Sequence, residues 1–268
     1  MIKSKLKELQ DICREMRRII LKSSYNSNES THIGGALSIV EILAVIYNEY
    51  IFIKNSNNKN RFILSKGHGF LALVSILNIF KKISDKDLST YQKNGSQLIA
   101  HPIANMRMGI ESSNGSLGQG LSFGIGIAIA NKKSKKKNKV FVLIGDGECY
   151  EGAIWEAAIT ATEQKLDNLI LFVDSNGHQN DGEINKIMNT NNLYKKWKGF
   201  GWNCININGH NPDEINSAII KTKRDMPTVI ISKTVKGKGV KFMENNNDWH
   251  HGMLSKKLLD QALDGLNK

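Results

Sequence analysis

The sequence has little cysteine, little proline and no long apolar run, and each shortage excludes something. Its three cysteines, Cys13, Cys149 and Cys204, form no CxxC pair and no metal-ligand spacing. An odd, scattered set excludes a disulfide framework, and reduced thiols are expected. Three prolines in 268 residues and no serine-rich tract leave no linker at which to divide the chain. The most apolar segment, which begins at Leu37, is interrupted by Glu41, Asn48 and Glu49. It falls short of the roughly 18 consecutive apolar residues of a membrane span, so no membrane partner is expected. Glu8, Asp11 and Glu15 interrupt the basic N-terminus, and no signal-peptide core follows. A cytoplasmic protein is the expectation.

Charge of one sign is in excess: 37 Lys and Arg against 25 Asp and Glu give a formal +12. Such a balance suits nucleic acid, an anionic surface, or small phosphorylated molecules. The densest basic run, Lys132 to Lys139, has no interleaved aromatic residue on which bases would stack, and reads as a solvated connection. A field that attracts small phosphorylated molecules, without a nucleic acid partner, is expected.

Leu6, Leu9, Cys13, Met16 and Ile20 recur at steps of three and four, which predicts an amphipathic N-terminal helix. A second, apolar helix is expected from about Leu37 to Tyr50, then a buried strand at Arg61 to Ser65 running into the turn Lys66-Gly67-His68-Gly69. Ser84 with Asp87 signals an N-cap and a helix near Lys86, whereas His101 to Gly115 reads as irregular. Gly118, Gly120, Gly124 and Gly126 punctuate a helix whose small residues imply close packing. Beyond Val140 the pattern is regular. Strands at Val140 to Ile144, Leu169 to Val173, Cys204 to Ile207 and Thr228 to Ser232 alternate with helices from Glu151, near Leu193 and from Pro212. Strands apolar on both faces, alternating with helices, specify an α/β fold with a central parallel sheet covered on both faces.

In such sheets ligands bind beyond the carboxyl ends of the strands. One strand ends in Gly145-Asp146-Gly147 and the next in Asp174-Ser175-Asn176-Gly177-His178, with Asp146 and Asn176 thirty residues apart. A carboxylate and a carboxamide at neighbouring strand tips, among glycine N–H groups and a helix N-terminus, suit a magnesium diphosphate. Asparagine in place of a second carboxylate limits repulsion with the anion. Taken singly, Gly-Asp-Gly fits a plain turn equally well, and His32 fits a helix cap. Trp155, Ala157, Ala158 and Ile159 read as core or interface, and His210 as a surface turn residue.

The segment from Gly145-Asp-Gly-Glu-Cys-Tyr-Glu-Gly to Val173-Asp-Ser-Asn-Gly-His-Gln-Asn-Asp-Gly resembles the thiamine diphosphate motif. Ser30-Thr-His-Ile-Gly-Gly, Leu64-Ser-Lys-Gly-His, Ala100-His-Pro, Gly115-Ser-Leu-Gly-Gln-Gly and Trp249-His-His-Gly, in that order, resemble transketolase segments along almost the whole chain. The resemblance implies that residues 1–268 are the diphosphate-binding domain of a transketolase. The pyrimidine-binding domain is then expected on a separate chain, in a two-plus-two assembly. It also implies thiamine diphosphate and Mg²⁺ as cofactors, and transfer of a two-carbon ketol unit from a ketose, by default a sugar phosphate, to an aldose.

By the same resemblance Asp146, Asn176 and the main-chain carbonyl of His178 bind magnesium, while His68, Gly147 and Asn176 hold the diphosphate. Gly115 and Leu117 line the thiazolium and aminopyrimidine, and Glu151 supports the subunit contact and the cofactor network. His32, His101 and His251 face the substrate, where an imidazole can donate and accept protons near neutral pH. His251 also counts among the cofactor contacts; His250 competes with it for one position, and the following Gly252 favours His251. Thr31, Ile103 and Met108 depart from the family pattern and are expected beside the substrate entrance. Three alternatives stand: a 1-deoxyxylulose-5-phosphate synthase-like chain, a 2-oxo acid dehydrogenase α-like chain, or a noncatalytic assembly subunit.

Overall fold

Along each strand, apolar residues alternate between two separate cores, and that alternation sets the architecture. The computed structural model describes residues 3–52, 59–188 and 192–266; the ends of the expected 1–268 domain lie outside them. Helices α1 (Lys3–Ser27), α2 (Ile33–Leu37) and α3 (Val40–Ile46) precede β1 (Arg61–Leu64), α4 (Phe70–Ile79) and the single turn α5 (Asp85–Leu88). Next come α6 (Gln119–Lys133), β2 (Val140–Gly145), α7 (Gly152–Glu163) and β3 (Leu169–Ser175). A two-residue-per-arm hairpin, β4 (His178–Gln179) and β5 (Gly182–Glu183), leads through α8 (Ile184–Ile187) and α9 (Leu193–Gly199) to β6 (Asn203–Asn208). The described chain finishes with α10 (Pro212–Ile220), β7 (Thr228–Lys233) and α11 (Lys256–Leu266).

Among the described residues the main sheet has five strands in the order β1-β2-β3-β7-β6, every pair parallel. Phe141, Leu143, Ile170 and Phe172 point into one core with α1, α3, α4 and α10, whereas Val140, Val142, Leu171 and Val173 point into the other with α6, α7 and Trp197. The strands therefore look apolar throughout, as a sheet covered on both faces requires. The stripe expected on α1 is buried: Leu9, Met16 and Ile20 are each 0% exposed, and burial of each contributes roughly 1.5–3 kcal/mol. Glycine serves close packing on α6, where a Cβ at Gly120 would stand 2.5 Å from Ser65 and one at Gly124 would collide with Val142.

Three local expectations change. The helix expected from Leu37 to Tyr50 is broken at Ser38 and Ile39, and its last turn widens into a π-helical segment at Tyr47–Ile51. The Ser38 hydroxyl hydrogen-bonds the buried Asp174 carboxylate at 2.7 Å, and this side-chain contact competes with a continuous helix. His210 is no surface turn residue; its ring is 13% exposed and bonded on both nitrogens. Thr31 does not face an entrance, being 1% exposed, bonded to Ser24 at 2.5 Å and paired through its backbone with Gly252. Met108 packs against the first core, while Ile103 is 49% exposed. The lysine run does behave as a solvated connection, with exposed Lys132 donating to the Gln164 and Lys165 carbonyls. Among the described residues no helix is long and apolar enough to cross a membrane.

Candidate active site

Parallel pairing of β2 with β3 puts Gly145 opposite Asp174, so the two strand tips lie side by side. Each is followed by a glycine-bearing turn whose N–H groups turn back on the carboxylates. Asp146 accepts the Gly147 N–H at 2.9 Å on one oxygen and the Gly177 N–H at 2.7 Å on the other. Asn176 is oriented from both ends: its amide donates to Asp174 at 2.9 Å, and its oxygen accepts the His178 N–H at 3.0 Å. Beyond these tips is a cavity of about 350 Å³ whose wall includes Asp146, Gly147, Asn176, His178, His68 and Leu117, with Glu151 and His250 also facing it.

The charge pattern of this cavity is unusual. Burial and then the neighbouring Asp174 push the Asp146 carboxyl up to about 7, against the pull of the Gly177 and Gly147 N–H groups. Beneath it Asp174, 0% exposed, takes a 2.5 Å ion pair from Lys66 and hydrogen bonds from Ser38 and Thr234. Burial would raise its pKa, but Lys66 and the Thr234 and Ser38 hydrogen bonds together outweigh burial and hold the carboxylate ionised. Lys236, 1% exposed, forms no ion pair with a carboxylate among the described residues; its ammonium donates to Asn247 and to the His250 Nδ1, each at 2.9 Å. Its pKa falls to about 8 through burial and the repulsion of Lys66. Since an ammonium only donates, His250 accepts on Nδ1 and carries its proton on Nε2.

Around His32 four other imidazoles gather, with ring centroids 4.6 Å (His251), 5.4 Å (His101), 5.6 Å (His250) and 5.9 Å (His68) away. His32 stands at the N-cap of α2 but makes no capping hydrogen bond, so the helix-cap reading fails. Burial, then the other imidazoles and lysines, lowers His32 to about 4; burial and Lys236 lower His250 to about 3. His68 is pushed well down for the same reasons, and His101 less so. His32, His68, His101 and His250 are therefore held toward the neutral imidazole, whose ring can both donate and accept a hydrogen bond.

Of the residues singled out from sequence, the cavity wall brings together Asp146, Asn176, His178, His68, Gly147, Leu117 and Glu151. His32, His101 and His251 form the adjoining histidine cluster, with His251 exposed and His250, rather than His251, on the cavity wall. Gly115 is exposed on the loop beside His101. Sequence reasoning missed Lys66, Asp174, Lys236 and Glu148. Glu148 is 2% exposed and gathers the Ser65 hydroxyl, the Gly118 N–H at 2.8 Å and the Gly145 N–H at 3.2 Å, tying the loop that bears Leu117 to the tip of β2. The strand-end position of Asp174 was an available signal for one of the four.

The family model for the transketolase thiamine diphosphate binding domain matches residues 10–264. The 6-deoxy-6-sulfo-D-fructose transketolase subunit SqwG of Clostridium sp. (strain MSTE9) is 39% identical, with 88% of each chain covered. An apulose-4-phosphate transketolase subunit of Actinobacillus succinogenes is 38% identical, with 97% of this chain and 96% of that one covered. The transketolase structure from Campylobacter jejuni superposes with a TM-score of 0.87 at 28% identity, covering 100% of this chain. This chain spans 43% of that protein and 42% of human transketolase, to which it is 32% identical. With the matched region, these relatives and the strand-tip cavity in agreement, the chain belongs to the transketolase family through its thiamine diphosphate binding domain.

Proposed function

We propose that this chain is the diphosphate-binding subunit of a two-chain transketolase, which moves a two-carbon ketol unit from a ketose to an aldose using thiamine diphosphate and Mg²⁺. The observation that carries the reading is the cavity shared by Asp146 and Asn176 at adjacent strand tips, with a buried ammonium, Lys236, against its wall residue His250. Its donor chemistry fits the cofactor. One carboxylate and one amide oxygen are hard ligands for Mg²⁺, and the remaining positions suit phosphate and water oxygens. Among the described residues no three His, Cys, Asp or Glu side chains form a metal cluster. His178 Nδ1 is buried without a partner on the same wall, an idle polar atom that a bound ligand or water would satisfy.

In this reading Asp146, Asn176 and the His178 carbonyl hold Mg²⁺, and Gly147, His68 and Lys236 hold the diphosphate. Bound thiamine diphosphate supplies the carbon nucleophile and electron sink of ketol transfer. The chain's own part is to position and to move protons. His32, His101, His250 and His251 hydrogen-bond sugar hydroxyls and pass protons among them, and Leu117 excludes water from the inner wall. The relatives covered over 88% and 96% of their length are named for a sulfonated deoxyketose and for apulose-4-phosphate, both anionic sugars. A net charge of +12 favours an anionic sugar, with a phosphorylated ketose as donor.

Both of these relatives carry names that make them one subunit of a transketolase, which supports a partner chain bearing the pyrimidine-binding half, assembled two plus two. Three free thiols suit a cytoplasmic enzyme. The test is reconstitution. Ketol transfer from a ketose phosphate to an aldose phosphate is expected only when this chain, its partner, Mg²⁺ and thiamine diphosphate are combined. Full activity of the purified chain alone would refute the two-chain account.

A further inference from the structure

Behind the cavity, three residues that line no part of it grip the segment from which Lys236 projects. Arg17 on α1, Glu41 on α3 and His210 in the turn between β6 and α10 have side chains only 9%, 11% and 13% exposed. Glu41 joins the other two, meeting Arg17 at 2.5 Å on one oxygen and the His210 Nδ1 at 2.9 Å on the other. The pair then takes hold of both ends of Val235–Lys238. His210 Nε2 accepts the Val235 N–H at 2.9 Å, and Arg17 Nε donates to the Lys238 carbonyl at 3.0 Å. Accepting on Nε2 leaves the His210 proton on Nδ1, where it is donated to Glu41. Between the two grips lies Lys236, whose ammonium faces the diphosphate-side wall through His250 and Asn247.

We propose that Arg17, Glu41 and His210 act as a buried clamp that positions Lys236 for the cofactor's diphosphate, which makes them positioning residues for cofactor binding. The inference rests on the functional reading above. The physical need is clear: a lysine has a long flexible stem, and a point charge placed an ångström away loses much of its value to the anion. Fixing the backbone at both sides of Lys236 removes that freedom before the ligand arrives. Burial raises the Glu41 pKa, but Arg17 and His210 outweigh burial and keep the carboxylate ionised, so the clamp is set at neutral pH. None of the three residues touches the cavity that holds Asp146 and Asn176. They border a separate hollow of about 410 Å³ on the far side of the Lys236 segment, which Lys238 and Gly239 also line.

Two measurements on the full chain with its partner subunit test the clamp. Titration calorimetry with Mg²⁺ and thiamine diphosphate is expected to show Lys236→Met weakening binding by about 10–100-fold and His210→Leu by roughly 2–10-fold. His210→Gln, whose amide oxygen can still accept the Val235 N–H, should return affinity to within about twofold of the wild type. In the double variant His210→Leu/Lys236→Met the loss should equal that of Lys236→Met alone, because the histidine acts through the lysine. Additive losses would overturn the proposal. Amide hydrogen exchange at Val235, measured without cofactor, should speed up in His210→Leu and recover in His210→Gln; unchanged exchange would overturn it as well. A wild type that binds no thiamine diphosphate would refute the functional reading, and exchange at Val235 would still decide whether the clamp exists.

Discussion

Replacing Lys66 with methionine removes the ammonium in contact with Asp174 and keeps a side chain of similar shape. Asp174 would then be a carboxylate at 0% exposure held by Ser38 at 2.7 Å, the Asn176 amide at 2.9 Å and Thr234, all neutral donors. Breaking a buried ion pair by removing one partner costs about 3–5 kcal/mol. Three surviving hydrogen bonds favour the lower end, about 3 kcal/mol, or roughly two orders of magnitude in the folding equilibrium. The loss has a pH signature. In the wild type burial raises the Asp174 pKa, but Lys66 with the Thr234 and Ser38 hydrogen bonds holds it below its ordinary value, so the carboxylate contributes stability that is lost as pH falls through the folded value. In Lys66→Met only the neutral hydrogen bonds oppose burial, and the penalty on the charged form shrinks as acid protonates it. Urea unfolding followed by tryptophan fluorescence, at pH about 7.5 and about 5, should therefore show a gap between the two proteins that narrows at the lower pH. A loss below about 1 kcal/mol, or an equal gap at both pH values, would refute the reasoning.

Asp146 gives the opposite sign. Its folded pKa of about 7 lies above the unfolded value of about 3.9, so the metal-free protein should lose stability as pH rises between them. Asp146→Asn should flatten that part of the melting-temperature profile measured in chelator. Glu148→Ala strands the Ser65 hydroxyl and the Gly118 and Gly145 N–H groups; at about 1–3 kcal/mol for each buried group left unsatisfied, urea unfolding should show a loss of at least 2 kcal/mol. Gly118 adopts φ +86 at the start of α6, and a Cβ there would stand 2.8 Å from the Glu151 Cβ. Gly118→Ala should cost at least 1–2 kcal/mol by the same assay, roughly the penalty of a left-handed conformation for a residue with a Cβ.

Strands of four to seven residues, each with an apolar run bounded by turn signals, made the sheet legible, since a strand covered on both faces leaves an unbroken signature. The strand tips were legible for the same reason, because once β2 and β3 are placed, Asp146 and Asn176 have nowhere else to go. The break at Ser38 was hidden because its cause, the Asp174 carboxylate, is 136 residues away. Lys66 and Lys236 were hidden because lysine in a sequence reads as a solvated side chain, and only the fold shows it buried. Glu148 answers to groups from three segments, and no local pattern encodes such a convergence. Choosing between His250 and His251 needed the Lys236 contact, which one residue of register decides.

A crystal structure of this chain with its partner, Mg²⁺ and thiamine diphosphate tests the central claim most directly. The account predicts one octahedral cation bound by an Asp146 carboxylate oxygen and the Asn176 amide oxygen, and bridged to the diphosphate at the tips of β2 and β3. A cation or diphosphate bound elsewhere, with Asp146 and Asn176 contacting neither, would contradict it.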